Sequence, residues 1–146
     1  MNKKEAQDQL NNLQKEVDKL KKIIETPEFN WKQVRGFESA CELNNQSAYT
    51  IEKRWKNAEL TNYQIEHLKL EYCIKTINEG WTPNWNNSNE YKWYNWLEKK
   101  SSGCVGCLSS YLFSDSYMGF SLYYETEEKA KHGIKYFLNY YNSILG

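Results

Sequence analysis

The sequence predicts an α+β fold, with an N-terminal coiled-coil helix over residues 1–26 and a globular domain over residues 27–146. Three observations lead to this prediction. A heptad pattern of apolar residues stops at Pro27, a long helical pattern stops at Gly80, and aromatic β-like runs follow, separated by short polar turns. Within the domain we therefore expect a central helix, a three-stranded antiparallel sheet and a C-terminal helix.

The first helix is predicted over residues 2–26 and carries a narrow apolar seam. Asn2 and Glu5 have the spacing of a capping box. Apolar residues then recur at heptad positions a and d, while the other positions are almost all charged or amide residues. The seam residues that we assign to oligomerisation are Leu10, Leu13, Val17, Leu20 and Ile24.

The seam favours association between copies of the chain. Glu16 at g and Lys21 at the following e have the spacing of an interchain ion pair in a parallel coiled coil. Branched Val17 and Ile24 at a, with Leu at d, favour a dimer, and a trimer is the alternative oligomer. The alternative is a surface helix that lays its stripe on its own domain, although such a stripe is usually broader.

Two short helices are predicted next, over residues 37–43 and 48–57. With Ala40 and Leu43 in the first helix and Ser47 opening the second, the pair resembles the helix-turn-helix of excisionase-type or MerR-like DNA binders. The resemblance implies a second helix that meets DNA. Asn44 and Asn45 stand where the turn glycine would be, and a plain helical hairpin is the alternative. The residues that would contact DNA are Tyr49, Lys53 and Arg54.

The central helix is predicted over residues 61–79. Thr61 and Gln64 have capping-box spacing, and Gly80 has the place of a C′ glycine. Because apolar residues fall on more than one side of this helix, we expect it to be the core helix of the domain.

The stretch from Trp81 to Leu97 holds four of the six tryptophans in the chain. Residues 90–97, 104–113 and 117–124 are predicted to form the three strands of a meander. We expect the rings of the strand to supply core area, whereas the turn before it is the candidate surface for a protein partner. The partner-binding residues assigned to this turn are Trp81, Trp85, Asn86 and Asn87.

The last helix is predicted over residues 127–145, with Thr126 as its cap. Gly133 inside this helix predicts a close contact, such as that of a helix on a sheet.

Few residues point to catalysis or to a bound group. Cys104 and Cys107 form a CxxC pair, but Cys41 and Cys73 stand singly on predicted helices, so we expect thiols and no metal, with a zinc site at the CxxC pair as the weaker alternative. No glycine-rich phosphate loop appears, and two histidines leave little general-base capacity. We therefore expect no enzyme, no catalytic residue and no cofactor.

Net charge and hydropathy limit the classes of partner that the protein can have. The formal net charge is zero and the pI is about 6.7, which argues against a protein that coats nucleic acid. The N-terminus has no apolar signal region, and no apolar run is long enough to span a membrane. We expect a cytoplasmic protein, located in a host cytosol or in a virion if a phage encodes it.

The second half of the chain resembles a family of short proteins from Bacteroidota and their phages. The similarity covers about residues 36–145 and is carried by Ile77–Trp81, Pro83, Trp85–Asn87, Tyr91–Trp96, Gly119–Tyr124, Thr126, Glu128, Ala130, Phe137 and Tyr141. It implies an origin in a phage or mobile element and a structural or host-interaction role, and it carries no activity. Asn95 departs from the proline of that pattern, and Lys131–Gly133 also depart from it.

Together these observations predict a non-enzymatic, self-associating structural or protein-interaction protein. The alternative is a DNA-binding regulator that uses residues 37–57. The partners expected are a second copy of the chain and an unidentified protein, with neither nucleic acid nor a membrane.

Overall fold

The structure, a computed structural model, describes residues 1–25, 28–100, 103–112 and 122–145. It has the α+β class that the sequence predicts. A long N-terminal helix precedes a domain of shorter helices and a two-stranded sheet. The elements are α1 (Lys3–Glu25), a 3-10 turn (Trp31–Gln33), α2 (Phe37–Leu43), α3 (Ala48–Asn57), α4 (Asn62–Ile77), β1 (Lys92–Lys100), β2 (Gly103–Leu112), α5 (Glu127–Tyr136) and α6 (Leu138–Leu145).

Helix α1 begins at the predicted capping box. The backbone N–H of Asn2 donates to the Glu5 carboxylate at 2.9 Å, and the N–H of Glu5 donates to the Asn2 side chain at 2.8 Å. Every residue of α1 is exposed. None of the described helices is long and apolar enough to cross a membrane.

Helix α4 is the core helix, as predicted. It packs against α2 and α6, while α5 and α6 lie against the sheet. The buried cluster around it consists of Val34, Phe37, Ala40, Cys41, Leu70, Cys73, Ile74, Ile77, Tyr124, Ala130, Phe137 and Tyr141.

The end of α4 differs from the prediction. Thr61 and Gln64 form the predicted capping box, but the helix stops at Ile77 with Asn78 as its C-cap. Glu79 therefore has the C′ position that was predicted for Gly80, with φ at +52°, and Gly80 follows with φ at +88°. Two successive left-handed residues turn the chain away from the helix.

Strands β1 and β2 pair antiparallel, with one bulge between Trp96 and Leu97. Trp96 lies opposite Leu108 and Leu97 lies opposite Gly106, so Cys107 is the extra residue of the bulge.

The predicted meander is wrong in one respect. Residues 117–121 of the third predicted strand lie outside the described residues, but Tyr124 forms a bridge with Trp93 of β1. Its two hydrogen bonds measure 3.1 and 2.8 Å. A meander would place this segment beside β2. The bridge forms on β1 because Trp93 and Tyr111 are a non-hydrogen-bonded pair, so the N–H and C=O of Trp93 point away from β2 and are open to Tyr124.

The C-terminal region is divided where one helix was predicted. α5 ends at Tyr136 and α6 begins at Leu138, with the fully buried Phe137 between them at φ −111° and ψ 12°. The break leaves Ala130, Phe137 and Tyr141 all buried.

The rings of the aromatic strand supply core area only in part: the half-buried Trp93 packs against the buried cluster. Over residues 81–98, Lys92 is the only buried side chain, and Trp96 is 59% exposed. A domain of this size covers the large rings only in part, since Trp is seldom fully buried.

Candidate functional site

The apolar seam of α1 is a continuous exposed stripe. Leu10, Leu13, Val17, Leu20 and Ile24 all lie on it, and their exposures range from 42% to 82%. The alternative, in which the stripe packs on its own domain, disagrees with this exposure. Large exposed apolar patches mark sites of interaction.

One further residue widens the seam. Ile23 has heptad position g next to Ile24 and is also exposed. Sequence reasoning missed it, although an apolar residue at g was the available signal. Glu16 and Lys21 are both exposed beside the seam, where an ion pair between chains could form.

The turn assigned to a partner is folded around Lys92. This lysine is fully buried, and its ammonium donates to the carbonyls of Asn87 at 3.0 Å and Glu90 at 3.3 Å. The Glu90 carboxylate lies 3.5 Å from the ammonium and also accepts the N–H of Asn84 at 2.7 Å. Lys92 thus fixes the middle and the end of the loop 84–90, and Glu90 joins the start of the loop to its end.

Most of the predicted partner residues of this turn make contacts within the turn itself or with residues next to it. The ring of Trp85 lies under the Lys92 ammonium at 5.4 Å and meets Tyr123 edge-on at 5.1 Å. The side chain of Asn87 accepts the N–H of Asn89, and Asn86 donates its N–H to Asn84. Trp81 is half-buried. Their assignment to a partner stays a prediction.

Three other rings form a surface cluster that sequence reasoning did not assemble. Tyr91 stacks on Trp93 with centroids 6.1 Å apart, and Tyr111 meets both rings edge-on at 4.9 and 5.0 Å. Tyr91 and Tyr111 are each about half exposed. We call Tyr91, Trp93 and Tyr111 the aromatic triad. Only the pairing of Trp93 with Tyr111 across the strands could have revealed it, and register is not readable from composition.

The candidate DNA-contacting residues lie on two faces of α3. Tyr49 is 74% exposed, and the Lys53 ammonium lies 5.9 Å from the centre of its ring. Arg54 instead lines a cavity of about 370 Å³ with Ser47, Thr50 and Tyr72, between α3 and α4. The structure therefore brings Tyr49 and Lys53 together and separates Arg54 from them.

Cys41 and Cys73 are buried free thiols. Burial raises the pKa of Cys41, and it raises the pKa of Cys73 to about 12, so both stay protonated and unreactive. Among the side chains that the structure describes, no group of three His, Cys, Asp or Glu residues could hold a metal ion. The side chains of Cys104 and Cys107 lie outside that part.

A chain of hydrogen-bonded polar side chains joins the sheet to α6, half-buried at the sheet and buried at the two tyrosines. Ser109 donates to the side-chain Oδ1 of Asn95 at 3.0 Å, the amide of Asn95 donates to the Tyr141 hydroxyl at 3.4 Å, and that hydroxyl lies 3.0 Å from the Tyr124 hydroxyl. Burial raises the pKa of Tyr124 well above its usual range and that of Tyr141 to about 12. Both phenols therefore stay neutral, and the chain is suited to fixing the fold rather than to proton transfer.

Comparison of the chain with protein families, with curated proteins and with solved structures found no match. The similarity to short Bacteroidota and phage proteins therefore stays a prediction.

Proposed function

We propose that this protein is a non-enzymatic, self-associating interaction protein, in which α1 joins two copies as a parallel coiled coil and the domain meets a protein partner. The observation that carries the proposal is the exposure of the whole α1 seam. A second copy is the occupant that fits best, since the seam repeats every 3.5 residues and a coiled coil buries that repeat.

Energetics support the same occupant. Most of the stability of a helix in a protein comes from packing of its apolar face, and α1 has no buried residue to supply such packing within one chain. Fully burying a Leu, Val or Ile side chain contributes about 1.5–3 kcal/mol. Association along the seam therefore stabilises both the helix and the pair.

Sedimentation equilibrium of two variants tests the tether. Leu13→Lys places a charge in the seam and should convert the dimer to a monomer at micromolar concentration. Asn12→Lys makes the same replacement one residue away, outside the seam, and should leave the dimer intact. A wild-type chain that sediments as a monomer, or two variants that behave alike, would remove the proposal.

A cysteine substitution tests the parallel orientation. Ile24 is at position a near the end of α1, so in a parallel pair the two Ile24→Cys thiols lie side by side and should cross-link on oxidation. In an antiparallel pair they lie at opposite ends. Lys15→Cys, at the outward position f, is the matched control and should cross-link far less.

We assign the partner surface to the aromatic triad. Tyr and Trp are enriched among residues that dominate binding energy, because they offer large rigid area with a polar edge. Tyr91 and Tyr111 are more exposed than the rings of the turn 81–85. The amount of partner protein that the chain captures from a host lysate should fall when Tyr91 and Tyr111 are both changed to Ser. It should stay the same when Tyr63, an exposed tyrosine of α4, is changed to Ser.

The DNA-binding alternative keeps one supporting observation, the exposed pair of Tyr49 and Lys53 on α3. Duplex binding measured across salt concentrations tests it, because phosphate contacts give a steep salt slope. Lys53→Glu should abolish such binding. Duplex binding that is absent, or that is unchanged in Lys53→Glu, excludes this alternative.

A further inference from the structure

A basic groove lies between the 3-10 turn and α5, and none of its lining residues belongs to the α1 seam. Its volume is about 450 Å³, within the range of small-ligand sites. Four of its eight lining residues are Lys or Arg and one is Glu, although the whole chain has no net charge. The groove therefore concentrates positive charge.

Two of these cations are positioned by the same ring. The guanidinium of Arg35 lies 5.4 Å from the centre of the Tyr136 ring, and the Lys135 ammonium lies 5.0 Å from it. Within the part of the chain that the structure describes, no carboxylate lies within ion-pair distance of either one. Tyr136 thus holds two cations against one ring, and an anion in the groove would supply the negative charge that they lack.

The other two cations have partners that an anion can replace. Lys32 pairs with Glu128 at 3.1 Å, and Lys131 pairs with Glu127 at 3.0 Å. The exposed fraction of these four side chains ranges from 48% to 68%, and such surface pairs contribute little to stability. A ligand with more charge than a single carboxylate can therefore compete for them.

His132 forms the inner wall of the groove. Its Nε2–H donates to the Val34 carbonyl, and its ring contacts Trp31 edge-on at 5.3 Å. Burial lowers the pKa of His132, the bond to Val34 offsets part of this effect, and the charges of Arg35 and Lys135 lower the pKa further. The same positive field that disfavours imidazolium favours a bound anion.

We propose that this groove binds the phosphate group of a small phosphorylated ligand, with Arg35 and Lys135 as its principal contacts. Arg presents a planar fork of donors that suits phosphate oxygens, and Lys adds a point charge. The half-buried Trp31 and the Tyr136 ring offer apolar area for the rest of the ligand. The phosphate could belong to inorganic phosphate or to a nucleoside monophosphate.

Calorimetric titration of the full chain with inorganic phosphate, AMP and adenosine tests the site. Phosphate and AMP should bind saturably, and adenosine should not. AMP that binds more tightly than phosphate would identify a nucleotide as the source, whereas equal affinities would identify the phosphate group alone. Adenosine that binds as tightly as AMP would overturn the proposal, as would the absence of saturable binding by both anions.

Two charge-removing variants and one control locate the binding. Arg35→Gln and Lys135→Gln should each weaken AMP or phosphate binding by about tenfold, because each removes a charge-assisted contact. Lys53→Gln removes one charge from the surface of α3 and should leave the affinity unchanged. Equal weakening in all three variants would indicate attraction to net charge alone and would overturn the site. Thermal unfolding of each variant, with wild-type cooperativity, checks that the fold persists.

Discussion

Gly133 lies where α5 comes closest to the sheet. A Cβ at this position would stand 2.6 Å from Cζ of Tyr124, closer still to its hydroxyl, and 3.1 Å from the Asn95 amide. The sequence predicted a close contact here from a glycine inside a helix, and the structure confirms it. The absence of a Cβ leaves room for the Tyr124 hydroxyl, which lies 3.0 Å from the Tyr141 hydroxyl.

Gly133→Ala should therefore destabilise the domain by about 1–3 kcal/mol, even though alanine is the better helix former. Urea unfolding measures the change. Gly36→Ala is the matched control, since the nearest atom to its Cβ is a Tyr140 hydroxyl at 3.3 Å, and it should cost less. If the clash with Tyr124 is the cause, Gly133→Ala should cost less in a Tyr124→Phe background.

Lys92 shows how one charged residue can organise a loop. A buried ammonium is costly unless it is paired and hydrogen-bonded, and here two carbonyls and a carboxylate surround it. The side chain therefore links the start of β1 to the loop 84–90. Composition gave no sign of this role, because lysine is almost never fully buried unless it is paired, and its partners here are not adjacent in the strand.

Lys92→Met keeps the stem and removes the charge, so two carbonyls and Glu90 lose their partner. We expect a loss of about 2–3 kcal/mol in the free energy of unfolding and faster hydrogen exchange over residues 84–90. Lys75→Met removes an ammonium that is paired with Glu71 but mostly exposed, and should cost less than about 1 kcal/mol. Equal losses in the two variants would contradict the role of burial.

At the scale of elements, helices α2, α3 and α4 end in the same way. Asn45, Glu59 and Glu79 each follow a C-cap and take φ values of +54°, +59° and +52°. At the ends of α2 and α3, the following residue donates its N–H to a carbonyl of the last turn, as in a Schellman motif: Gln46 to Cys41 and Leu60 to Trp55. Asn tolerates this conformation better than Glu, so the two glutamates carry backbone strain.

Glu59→Gly should stabilise the domain by about 0.5–1 kcal/mol. Glycine relieves the strain of the left-handed backbone, and this gain is larger than the loss caused by the greater conformational entropy of the unfolded chain. Glu59→Ala removes the same charge but keeps a Cβ and should give no gain. Asn45→Gly should gain less than Glu59→Gly, because Asn already tolerates this backbone. Thermal unfolding ranks the three, and a gain in Glu59→Ala would contradict the backbone explanation.

Helices were predictable here and the sheet was less so, for a physical reason. The capping pairs Asn2 with Glu5 and Thr61 with Gln64 are local, and so are the apolar periods that mark α2 and α3. The bridge from Trp93 to Tyr124 and the bulge at Cys107 depend on register between distant residues, which no local pattern determines.

The candidate sites divide in the same way. The seam of α1 repeats along one helix and was predicted residue by residue, apart from Ile23. The aromatic triad and the basic groove join segments far apart in the chain. Trp31 meets His132 across a hundred residues, so neither site could be assembled from spacing.

At the scale of the whole molecule, α1 and the domain have separate sources of stability. No residue of α1 is buried, whereas the domain has its own core around α4. Because a helix in a protein is stabilised mainly by packing of its apolar face, the order of α1 should depend on its partner copy. The domain should need neither α1 nor a second chain.

Thermal unfolding followed by circular dichroism should therefore show two transitions. The first, the loss of α1 helix, should move to higher temperature as protein concentration rises, because dissociation accompanies it. The second should be independent of concentration and should be the only transition of a chain of residues 28–146, with the same midpoint. A lower midpoint for residues 28–146 would mean that α1 stabilises its own domain, and a first transition that ignores concentration would mean that α1 has no second copy as its partner.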